Sequence, residues 1–469
     1  MFSYQDLLKI GKNETDRMSF VQEVINAHKG SQMYKDAVIA EQYYKKKNQT
    51  IMDFQKLLYT VSGEAIPDNY SADFKLRSQF FKKFITQENQ YSLGNGISWN
   101  NNDTGDKLGT RRKSFDIQVQ KAGIKALWGA VSFGFWNFDH LDVFSILEYA
   151  PLWDENDGAM KAGIRFWQVD EQKPMRATLY EMDGYTDYIW NKVEENGKQD
   201  FKGQILHEKQ KYVQISVTSE ADGTEILDGI NYVGFPIVPL WANEEHQNEL
   251  EGLREQIDCY DLIKSGFANT VDEASYIYWA IQNAGGMDDI DLANFVERMK
   301  TVHAGLVEDS NARAEAHTIE APYASREALL DRLRNDLYEN AMALDTKPIQ
   351  AGATTATQII SSYKDLDIKA DAYEGCLIEF IDGILELAGI DDEPTFTRSR
   401  IANVSEEIQN ILSSSTYLER GYVTEKILTL LGDADKAEDM IKQMDADEIR
   451  PLGSYEEVEE DVNGEEDNV

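Results

Sequence analysis

Cysteine is scarce in this sequence: only Cys259 and Cys376 occur in 469 residues. Two thiols so far apart in sequence do not form a disulfide framework or a zinc cluster, and they favour a reducing compartment. Long apolar runs are missing too, because no window approaches 18 consecutive apolar residues. This predicts no transmembrane helix and no membrane partner. Residues 1–12 lack the basic-then-apolar pattern of a signal peptide, so we expect folding inside the cell.

Catalytic motifs are also missing. The sequence has no Walker-type phosphate loop, no glycine-rich dinucleotide fingerprint and no His-Glu-x-x-His pair. Its six histidines lack metal-ligand spacing. Residues 130–134 resemble a nucleophile elbow without its first glycine, but their alternating aromatic context favours a β-strand. Residues 154–158 fit an acidic surface turn better than a calcium loop. We therefore predict no enzyme activity, no catalytic residue, no cofactor and no metal.

Negative charge is abundant and unevenly placed. The formal net charge is −38, yet residues 1–130 hold 19 Lys and Arg against 14 Asp and Glu, a net of +5. Residues 131–469 hold 27 bases against 70 acids, a net of −43. The stretch 451–469 has eight acids and no base, which predicts a disordered acidic tail. The folded remainder is so acidic that it must avoid polyanions or pass them without binding them.

The hydrophobic pattern of the first half changes from helical to strand-like. Helical spacing predicts helices over 5–60, a basic amphipathic helix over 73–88 and a further helix over 111–127. From 128 to about 240, short alternating runs separated by Asp-Gly and Asn-Gly turns predict an antiparallel meander. The last run, 234–241, contains two prolines and permits an edge strand only. The expected fold class is α+β.

The second half is mainly helical. Asn243 is predicted to cap a long helix over 243–271, with one apolar stripe and acids on its other faces. Ser325 is predicted to cap a second long helix, which ends before a Pro- and Gly-containing segment. The remaining expectations, in chain order, are a strand at 276–281, a short helix at 291–300, a small β pair at 304–307 and 316–319, a helix over 356–387, and two or three shorter helices over 403–449.

The order of these parts resembles the portal proteins of tailed bacteriophages, which are head-to-tail connectors. The resemblance covers roughly residues 40–390. No single piece is a strict signature, but their order and spacing are specific. It is carried by these stretches: YSLGNGI (91–97), GFPIVPLWANEE (234–245), LREQIDCYD (253–261), LDRLRNDLY (330–338), ATTAT (353–357) and YKDLDIKA (363–370).

The resemblance implies a portal-like division of the chain. The expected fold has an antiparallel β-containing wing, long stem helices, a small α/β clip, a helical crown and a ring-forming subunit. The implied boundaries are 1–242 for the wing, 243–270 for the first stem helix, 271–325 for the clip, 326–344 for the second stem helix, 345–357 for the tunnel loop, 358–400 for the wing and tunnel helix, 401–450 for the crown and 451–469 for the tail.

The resemblance also implies function and partners. Portal proteins form a ring, dodecameric in the capsid, through which double-stranded DNA is packaged by a terminase motor and later ejected. The implied partners are further copies of the chain, the major capsid or scaffolding protein, terminase and a neck or adaptor protein. The implied location is the capsid vertex of the virion, with the host cytoplasm during assembly.

Two groups of residues are the candidate sites. The tunnel-loop candidates beside the DNA are Lys347, Pro348, Gln350, Gly352, Thr354 and Thr355. The predicted acidic stem face consists of Glu249, Glu251, Glu255, Asp258 and Asp261. Phosphate contacts with Lys or Arg add affinity for DNA. An acidic wall with small or polar loop residues is therefore expected to keep moving DNA centred and unbound.

Plainer interpretations remain open. The stripe of helix 243–271 is typical of ordinary core packing, its acids are typical of a solvated face, and Lys347 is equally compatible with an exposed loop lysine. An acidic scaffold or interaction protein that forms no ring would share the acidity and the missing active site. A strictly monomeric chain under all salt conditions would favour that alternative. A hydrolase with an unrecognised site would need a polar cluster that the sequence does not display.

Overall fold

The structure is a computed structural model. It describes residues 2–11, 13–59, 62–69, 71–101, 103–170, 172–195, 198–218, 225–273, 278–282, 313–317, 323–347, 356–400 and 404–431, with a few further residues within 288–297 and 437–444. By backbone contacts the chain divides into two compact units, Met1–Ser399 and Arg400–Val469.

The described helices begin and end as follows. They are α1 (Tyr4–Ile10), α2 (Glu14–Gly30), α3 (Gln32–Tyr44), α4 (Gln49–Asp53), α5 (Phe80–Leu93), α6 (Thr104–Lys107), α7 (Phe115–Gly129), α8 (Arg254–Glu273), α9 (Tyr323–Asn340), α10 (Ala356–Ser362), α11 (Lys364–Ala388), α12 (Val404–Ser414) and α13 (Arg420–Leu431), with a 3-10 turn at Ser415–Tyr417.

The described strands form antiparallel sheets. They are β1 (Leu57–Tyr59), β2 (Ala65–Pro67), β3 (Ile97–Trp99), β4 (Val131–Asn137), β5 (His140–Ser145), β6 (Tyr149–Trp153), β7 (Met160–Trp167), β8 (Met175–Glu181), β9 (Gly184–Glu195), β10 (Lys198–Gln210), β11 (Val213–Thr218), β12 (Glu225–Ile230), β13 (Ile237–Trp241), β14 (Tyr278–Gln282), β15 (Arg313–His317) and β16 (Pro394–Phe396). The larger sheets have the orders β10-β9-β8-β7-β6 and β13-β4-β5, and the remaining strands pair as β1-β2, β11-β12, β14-β15 and β16-β3. The predicted α+β class and antiparallel meander are confirmed.

One predicted turn, at Asp183 and Gly184, and the predicted edge strand are confirmed, whereas the predicted turns at 196–197 and 222–223 lie outside the described residues. Gly184 opens β9 at a φ of +140°, and a Cβ atom there would lie only 2.3 Å from the carbonyl oxygen of Gln210. This close approach explains the glycine of the Asp-Gly turn. The strand β13, which contains Pro239, pairs with β4 alone among the described strands and is therefore an edge strand.

Two of the three buried clusters in the described residues contain most of the core of the first unit. In the larger one, α5, α7 and α11 pack on the sheet β13-β4-β5, where Phe133 and Phe380 are fully buried. Gly134 makes room for that packing, because a Cβ atom on it would lie 2.5 Å from Phe380 Cζ. In the second core, α2 packs with Val21 and Ile25 on the inner face of the five-stranded sheet.

The helix predicted over 73–88 begins only at Phe80, because the preceding backbone is hydrogen-bonded elsewhere. The amide nitrogen of Phe74 donates to Asn269 Oδ1 at 2.7 Å. The amide of Leu76 donates to Ser265 Oγ at 2.9 Å, and the amide of Ser78 to Asp261 Oδ1 at 2.8 Å. These alternate amides use acceptors one helical turn apart on α8, which holds the segment extended. We call these three acceptors the α8 ladder.

The predicted start of the helix at Asn243 is wrong. The helix α8 begins at Arg254, and residues 243–253 form turns. His246 and Gly252 have φ angles of +57° and +74°, which a right-handed helix does not accommodate. The Asn243 side chain accepts from the Gln247 amide within this turn instead.

Two further helix predictions need correction. Ser325 is not a cap, because α9 already includes Tyr323. The helix predicted over 356–387 is interrupted at Tyr363, which separates α10 from α11. The Tyr363 ring is buried and stacks on Tyr91 with ring centroids 5.6 Å apart, so side-chain packing sets the position of the break.

The segment predicted as the clip is described in part. The strand predicted at 276–281 corresponds to β14. It forms an antiparallel pair with β15. Residues 304–307 and most of the predicted helix over 291–300 lie outside the described residues. Beyond Arg400, α12 and α13 agree with the shorter helices that the sequence predicts. No helix in the described part of the chain is long and apolar enough to cross a membrane.

Candidate functional site

The helices α8 and α9 pack against each other in opposite directions. Near one end, Arg326 Nη1 donates to Thr270 Oγ1 at 2.7 Å. Near the other, the Phe80 ring contacts both Tyr260 and Tyr338, with centroids 5.0 and 6.1 Å away. Because residues late in α8 meet residues early in α9, the two helices form an antiparallel pair.

Two of the five predicted stem acids face protein. Asp261 is fully buried and accepts hydrogen bonds from the Asn48 side chain and the Ser78 amide. Burial raises the pKa of the Asp261 carboxyl, against these hydrogen bonds, which lower it. Asp258 accepts from the hydroxyls of Tyr43 and Thr50. These placements differ from the predicted single exposed acidic face. The donors that engage the two acids lie about 180 to 215 residues earlier in the chain, so local sequence does not reveal them.

The other three stem acids precede or begin α8. Glu249 lies in the turn before the helix, 2.5 Å from Lys369 Nζ. Glu251 and Glu255 are exposed, and together with Asp36 and Arg254 they border a cavity of about 80 Å³. Only Glu251 and Glu255 thus remain as solvent-facing members of the predicted set.

Lys347 is the one tunnel-loop candidate within the described residues. It is exposed, and its Nζ lies 3.7 Å from Asp331 Oδ1 of α9. Pro348, Gln350, Gly352, Thr354 and Thr355 lie outside the described residues. Their assignment as channel-lining residues therefore stays a prediction.

The entry to this loop is fastened to α9. The two terminal nitrogens of Arg334 donate to the two carboxylate oxygens of Asp345 at 2.7 and 2.6 Å. Although partial burial opposes ionisation, the hydrogen bonds from Arg334 hold the pKa of Asp345 below its ordinary value. The same carboxylate accepts from the Lys347 amide at 3.0 Å. Such bidentate pairs fix geometry as well as charge.

The two ends of the loop region meet in one buried cluster. Leu344 before the loop and Tyr363 after it pack together with Tyr91, Leu366 and Ala370. The intervening segment, 345–362, therefore leaves and returns at the same point of the fold. We call this cluster the loop base.

A buried ion cluster lies beside the loop base. Lys369 Nζ is 2.8 Å from Glu88 and 2.5 Å from Glu249, and it donates to the Ala341 carbonyl at 3.3 Å. It thus joins α11, α5, the turn before α8 and the end of α9. Burial, and next the charge of Glu249, raise the pKa of Glu88 to about 8, against the attraction of Lys369.

Sequence reasoning missed this cluster, although a signal was present. Glu88 follows Phe81, Phe84 and Ile85 at helical spacing, so it continues the buried apolar face of α5. An acid in that position needs a buried partner. The sequence alone does not show that the partner is Lys369, 281 positions later.

Arg398 fastens the end of the first unit to α11. Its guanidinium contacts Asp367, Asp371 and Glu374, which lie on one face of that helix. The next amide, that of Ser399, donates to the Tyr91 carbonyl at 2.8 Å. This places the end of the unit beside the loop base.

The described residues contain no cluster of three or more His, Cys, Asp or Glu that could hold a metal ion. Ser132 of the elbow-like segment is fully buried in β4, and its Oγ donates to the Ala122 carbonyl at 2.8 Å. The strand interpretation of residues 130–134 is confirmed. Ser132 is a structural hydroxyl in this arrangement.

The comparison with protein families decides the assignment. The family model described as "Phage portal protein, SPP1 Gp6-like" matches residues 26–450. The chain belongs to this portal family. The resemblance inferred from the sequence is thereby confirmed, and it includes residues outside the span 40–390 on which it was based.

Two phage portal proteins align with this chain over different lengths. The portal protein of Bacillus phage SPP1 is 21% identical over 460 residues, which cover 88% of this chain and 86% of that protein. The portal protein of Clostridium phage phiCD119 is 24% identical over 237 residues, which cover 45% of this chain and 51% of that protein. This chain thus spans about half the length of the phiCD119 relative.

Solved structures give weaker likenesses. The chain covers 90% of a chain from the neck of an empty gene transfer agent particle, at 10% identity and a TM-score of 0.45. It covers 95% of an HK97 family phage portal protein from Corynebacterium diphtheriae, at 12% identity and a TM-score of 0.31. At these scores the likenesses carry no argument, and the portal assignment rests on the sequence matches.

Proposed function

We propose that this portal-family chain forms a ring, dodecameric in the capsid, at the capsid vertex. Double-stranded DNA passes through the central channel during packaging and ejection. The ring docks terminase, a neck or adaptor protein and the surrounding capsid or scaffolding protein. It assembles in the host cytoplasm and remains in the virion. The family match over 26–450 supports this proposal most strongly.

The loop base supports the placing of segment 345–357 at the channel. A segment that leaves and returns at one buried cluster can extend into an opening while its two ends stay fixed. The Arg334–Asp345 pair holds its entry, and Lys347 starts it with an exposed cation. In a ring, twelve such segments form a collar around the DNA.

Fewer acids than the sequence predicts can form an acidic wall along the channel. Asp258 and Asp261 are engaged in hydrogen bonds inside the fold, so they do not belong to an acidic wall. Glu251 and Glu255 are the exposed acids left from the predicted stem face. Because each phosphate contact with a base adds affinity, their role is to keep the passing DNA unbound.

Imaging of the purified protein tests ring formation. Negative-stain micrographs of the full chain are expected to show rings with a central hole, and mass photometry is expected to give a mass of several chains. A chain that stays monomeric from about 10 mM to 1 M salt would overturn the proposal. It would instead favour the acidic scaffold alternative.

A packaging assay tests the acidic residues. The double variant Glu251→Lys/Glu255→Lys is expected to package DNA more slowly, because each lysine adds a phosphate contact. Glu23→Lys, an exposed charge reversal on α2, is the matched control and is expected to package normally. Equal packaging rates for both variants would remove these acids from the mechanism.

A further inference from the structure

The outer side of α5 carries an open groove, which we call the α5 groove. It has a volume of about 650 Å³, and the residues that line it include Phe80, Lys82, Lys83, Gln90 and Tyr338. The rings of Phe80 and Tyr338, with centroids 6.1 Å apart, give it an aromatic surface. In the described part of the chain no acid is among its lining residues. The groove therefore combines apolar contact area with positive charge.

The segments around the α5 groove are basic, although the chain as a whole has a net charge of −38. Residues 42–52 contain three Lys and Arg, residues 74–87 contain four, and neither segment contains Asp or Glu. A hydrogen bond from Arg77 Nη1 to the Lys46 carbonyl at 3.1 Å joins the two segments. Their cations therefore belong to one basic surface.

Most of these cations have no acidic partner in the described residues. Lys45 pairs with Glu41 at 2.8 Å, and Lys75 lies 3.7 Å from Asp73. The other five cations form no ion pair with the described residues, and they are Lys46, Lys47, Arg77, Lys82 and Lys83. A basic surface without internal partners is complementary to an acidic partner surface.

Other acids near the groove leave this excess of positive charge in place. Asp345 accepts two hydrogen bonds from Arg334, and Glu88 lies in the buried cluster with Lys369. The exposed acids that flank the groove segments in sequence, and that form no ion pair with the described residues, are Asp53 and Glu339. The five unpaired cations outnumber these two acids.

The outer side of α11 has the opposite charge. Its exposed apolar or small residues at helical spacing, which we call the α11 stripe, are Ile368, Ala372, Gly375 and Ile378. A Cβ atom on Gly375 would meet nothing within 4 Å, so the centre of the stripe is low and open. The exposed acids of this helix are Asp365, Asp371, Glu379, Asp382 and Glu386. Lys364 is its one exposed base, and only Asp371 of these acids forms an ion pair within the described residues.

The α5 groove and the α11 stripe lie on opposite sides of the α5–α11 pair. The two helices contact each other where Glu88 meets Lys369 at 2.8 Å. Because successive residues of a helix are about 100° apart, Lys83 is turned by about 140° from Glu88. Gly375 and Ile378 are turned by about 120° and about 180° from Lys369. One chain therefore cannot cover its own groove with its own stripe.

We propose that the α11 stripe of one subunit lies in the α5 groove of the next subunit in the ring. This inference rests on the proposed ring. A head-to-tail interface needs two different complementary surfaces on the same chain, and these two surfaces face different ways. The aromatic rings of the groove contact the low apolar centre of the stripe, and the acids beside the stripe face the unpaired lysines. A second copy is the occupant because its stripe supplies both the apolar centre and the acidic rim.

Charge reversals test the two surfaces separately. The groove variant is Lys82→Glu/Lys83→Glu, and the stripe variant is Glu379→Lys/Asp382→Lys. Each variant places like charges opposite one another in the proposed interface. Each is therefore expected to form rings about tenfold or more weakly than wild type at equal concentration.

Mass photometry measures ring formation, and circular dichroism melting shows whether each variant is folded. The matched control is Lys35→Glu/Lys121→Glu, which reverses two exposed lysines that do not line the groove. It is expected to assemble like wild type. The groove variant makes the net charge more negative and the stripe variant makes it less negative. An effect of net charge alone would therefore change their assembly in opposite directions.

The chain that carries both reversals is the decisive variant. Its groove is acidic and its stripe is basic, so opposite charges face each other again. We expect it to form rings at close to the wild-type concentration, whereas a folding defect caused by either reversal would persist in the combination. Weak assembly of the combined variant would overturn the inference, as would a groove or stripe variant that assembles like wild type.

A photo-crosslinking residue in place of Gln90, which is exposed at the groove, identifies the partner directly. The expected product joins two copies, with the attachment mapped to 365–386 of the second copy in mixed light and heavy chains. Attachment to another surface of the copy, attachment to added double-stranded DNA instead, or no crosslink between copies would overturn the inference. In these cases the ring proposal stands, whereas a monomeric wild type would overturn both.

Discussion

At the scale of single residues, Lys369 illustrates how one cation joins several segments. It contacts two carboxylates and a backbone carbonyl from three other parts of the chain. Burying these charges has a cost, which the mutual contacts must offset. Removing one member of the cluster therefore lowers the free energy of unfolding by more than the whole cluster contributes to it, because the remaining charges stay buried without a partner.

The first prediction concerns this cation. Lys369→Met leaves the buried Glu88 beside the half-buried Glu249 without their shared cation, and we expect the free energy of unfolding to fall by about 3–5 kcal/mol. Urea unfolding followed by fluorescence measures it. Lys364→Met, an exposed change on the same helix, should stay within about 0.5 kcal/mol of wild type. If both variants were equally stable, the contacts of Lys369 with Glu88 and Glu249 would not contribute to the stability of the fold.

The second prediction concerns pH. The pKa of Glu88 is raised from 4.5 to about 8, so between these values the folded chain keeps a proton that the unfolded chain releases. The contribution of Glu88 to the free energy of unfolding is then largest below this window and falls as pH rises through it. Glu88→Gln has no such proton to lose. Its free energy of unfolding, relative to wild type, should increase from about pH 6 to about pH 8 and then level off.

Urea titrations at several pH values measure this difference. The exposed substitution Glu386→Gln on α11 is the control, and its difference from wild type should not change with pH in the same way. A pH-independent difference for Glu88→Gln would mean that Glu88 is ionised in the folded chain throughout the window.

At the scale of elements, the α8 ladder explains why one helix starts late. Residues 73–79 carry an apolar helical pattern, yet the amides of Phe74, Leu76 and Ser78 donate to side chains of α8. Local periodicity predicts a helix there because it ignores acceptors from elsewhere. The loss of helical bonds is offset by bonds to a distant helix.

The third prediction tests the ladder. Ser265→Ala and Asn269→Ala each leave one backbone amide of the extended segment without its acceptor. Each should lower the free energy of unfolding by about 1–3 kcal/mol. Hydrogen exchange should become faster at Leu76 in the first variant and at Phe74 in the second. Cys259→Ala, an exposed change on α8, should leave both amides protected; unchanged exchange in the ladder variants would contradict the hydrogen bonds described.

The break at Tyr363 and the late start of α8 also depend on features that local periodicity does not show. Tyr363 has no helix-breaking character in the sequence, but its ring is required in the loop base. His246 and Gly252 adopt left-handed backbone conformations that stop a helix from starting at Asn243. The pattern predicted the helices themselves, whereas contacts from other segments set their ends.

At the scale of the whole molecule, the buried core clusters lie within the first unit. All three clusters in the described residues fall between Leu7 and Leu385. The fold of Met1–Ser399 should therefore not depend on the residues beyond it.

The fourth prediction follows from this division. A chain ending at Ser399 should unfold cooperatively, with a melting temperature within about 3 °C of the main transition of the full chain. Differential scanning calorimetry of both chains measures it. A fall of more than about 10 °C would show that residues beyond 399 contribute to the stability of the first unit.

The sequence by itself determined the class of the fold, the antiparallel meander, the edge strand β13 and the portal family. These features depend on local periodicity, on turn residues and on the order of recognisable stretches. The uneven charge was also fixed by the sequence, as was the absence of known catalytic motifs.

Only the tertiary structure decided which charges face solvent and which segments meet. Asp261 is buried because Asn48 and Ser78 bring their donors to it, and Lys369 lies between acids from two distant segments. Leu344 and Tyr363 close the loop base in the same way. A one-dimensional pattern records which residues are polar, but burial and pairing depend on contacts across hundreds of positions.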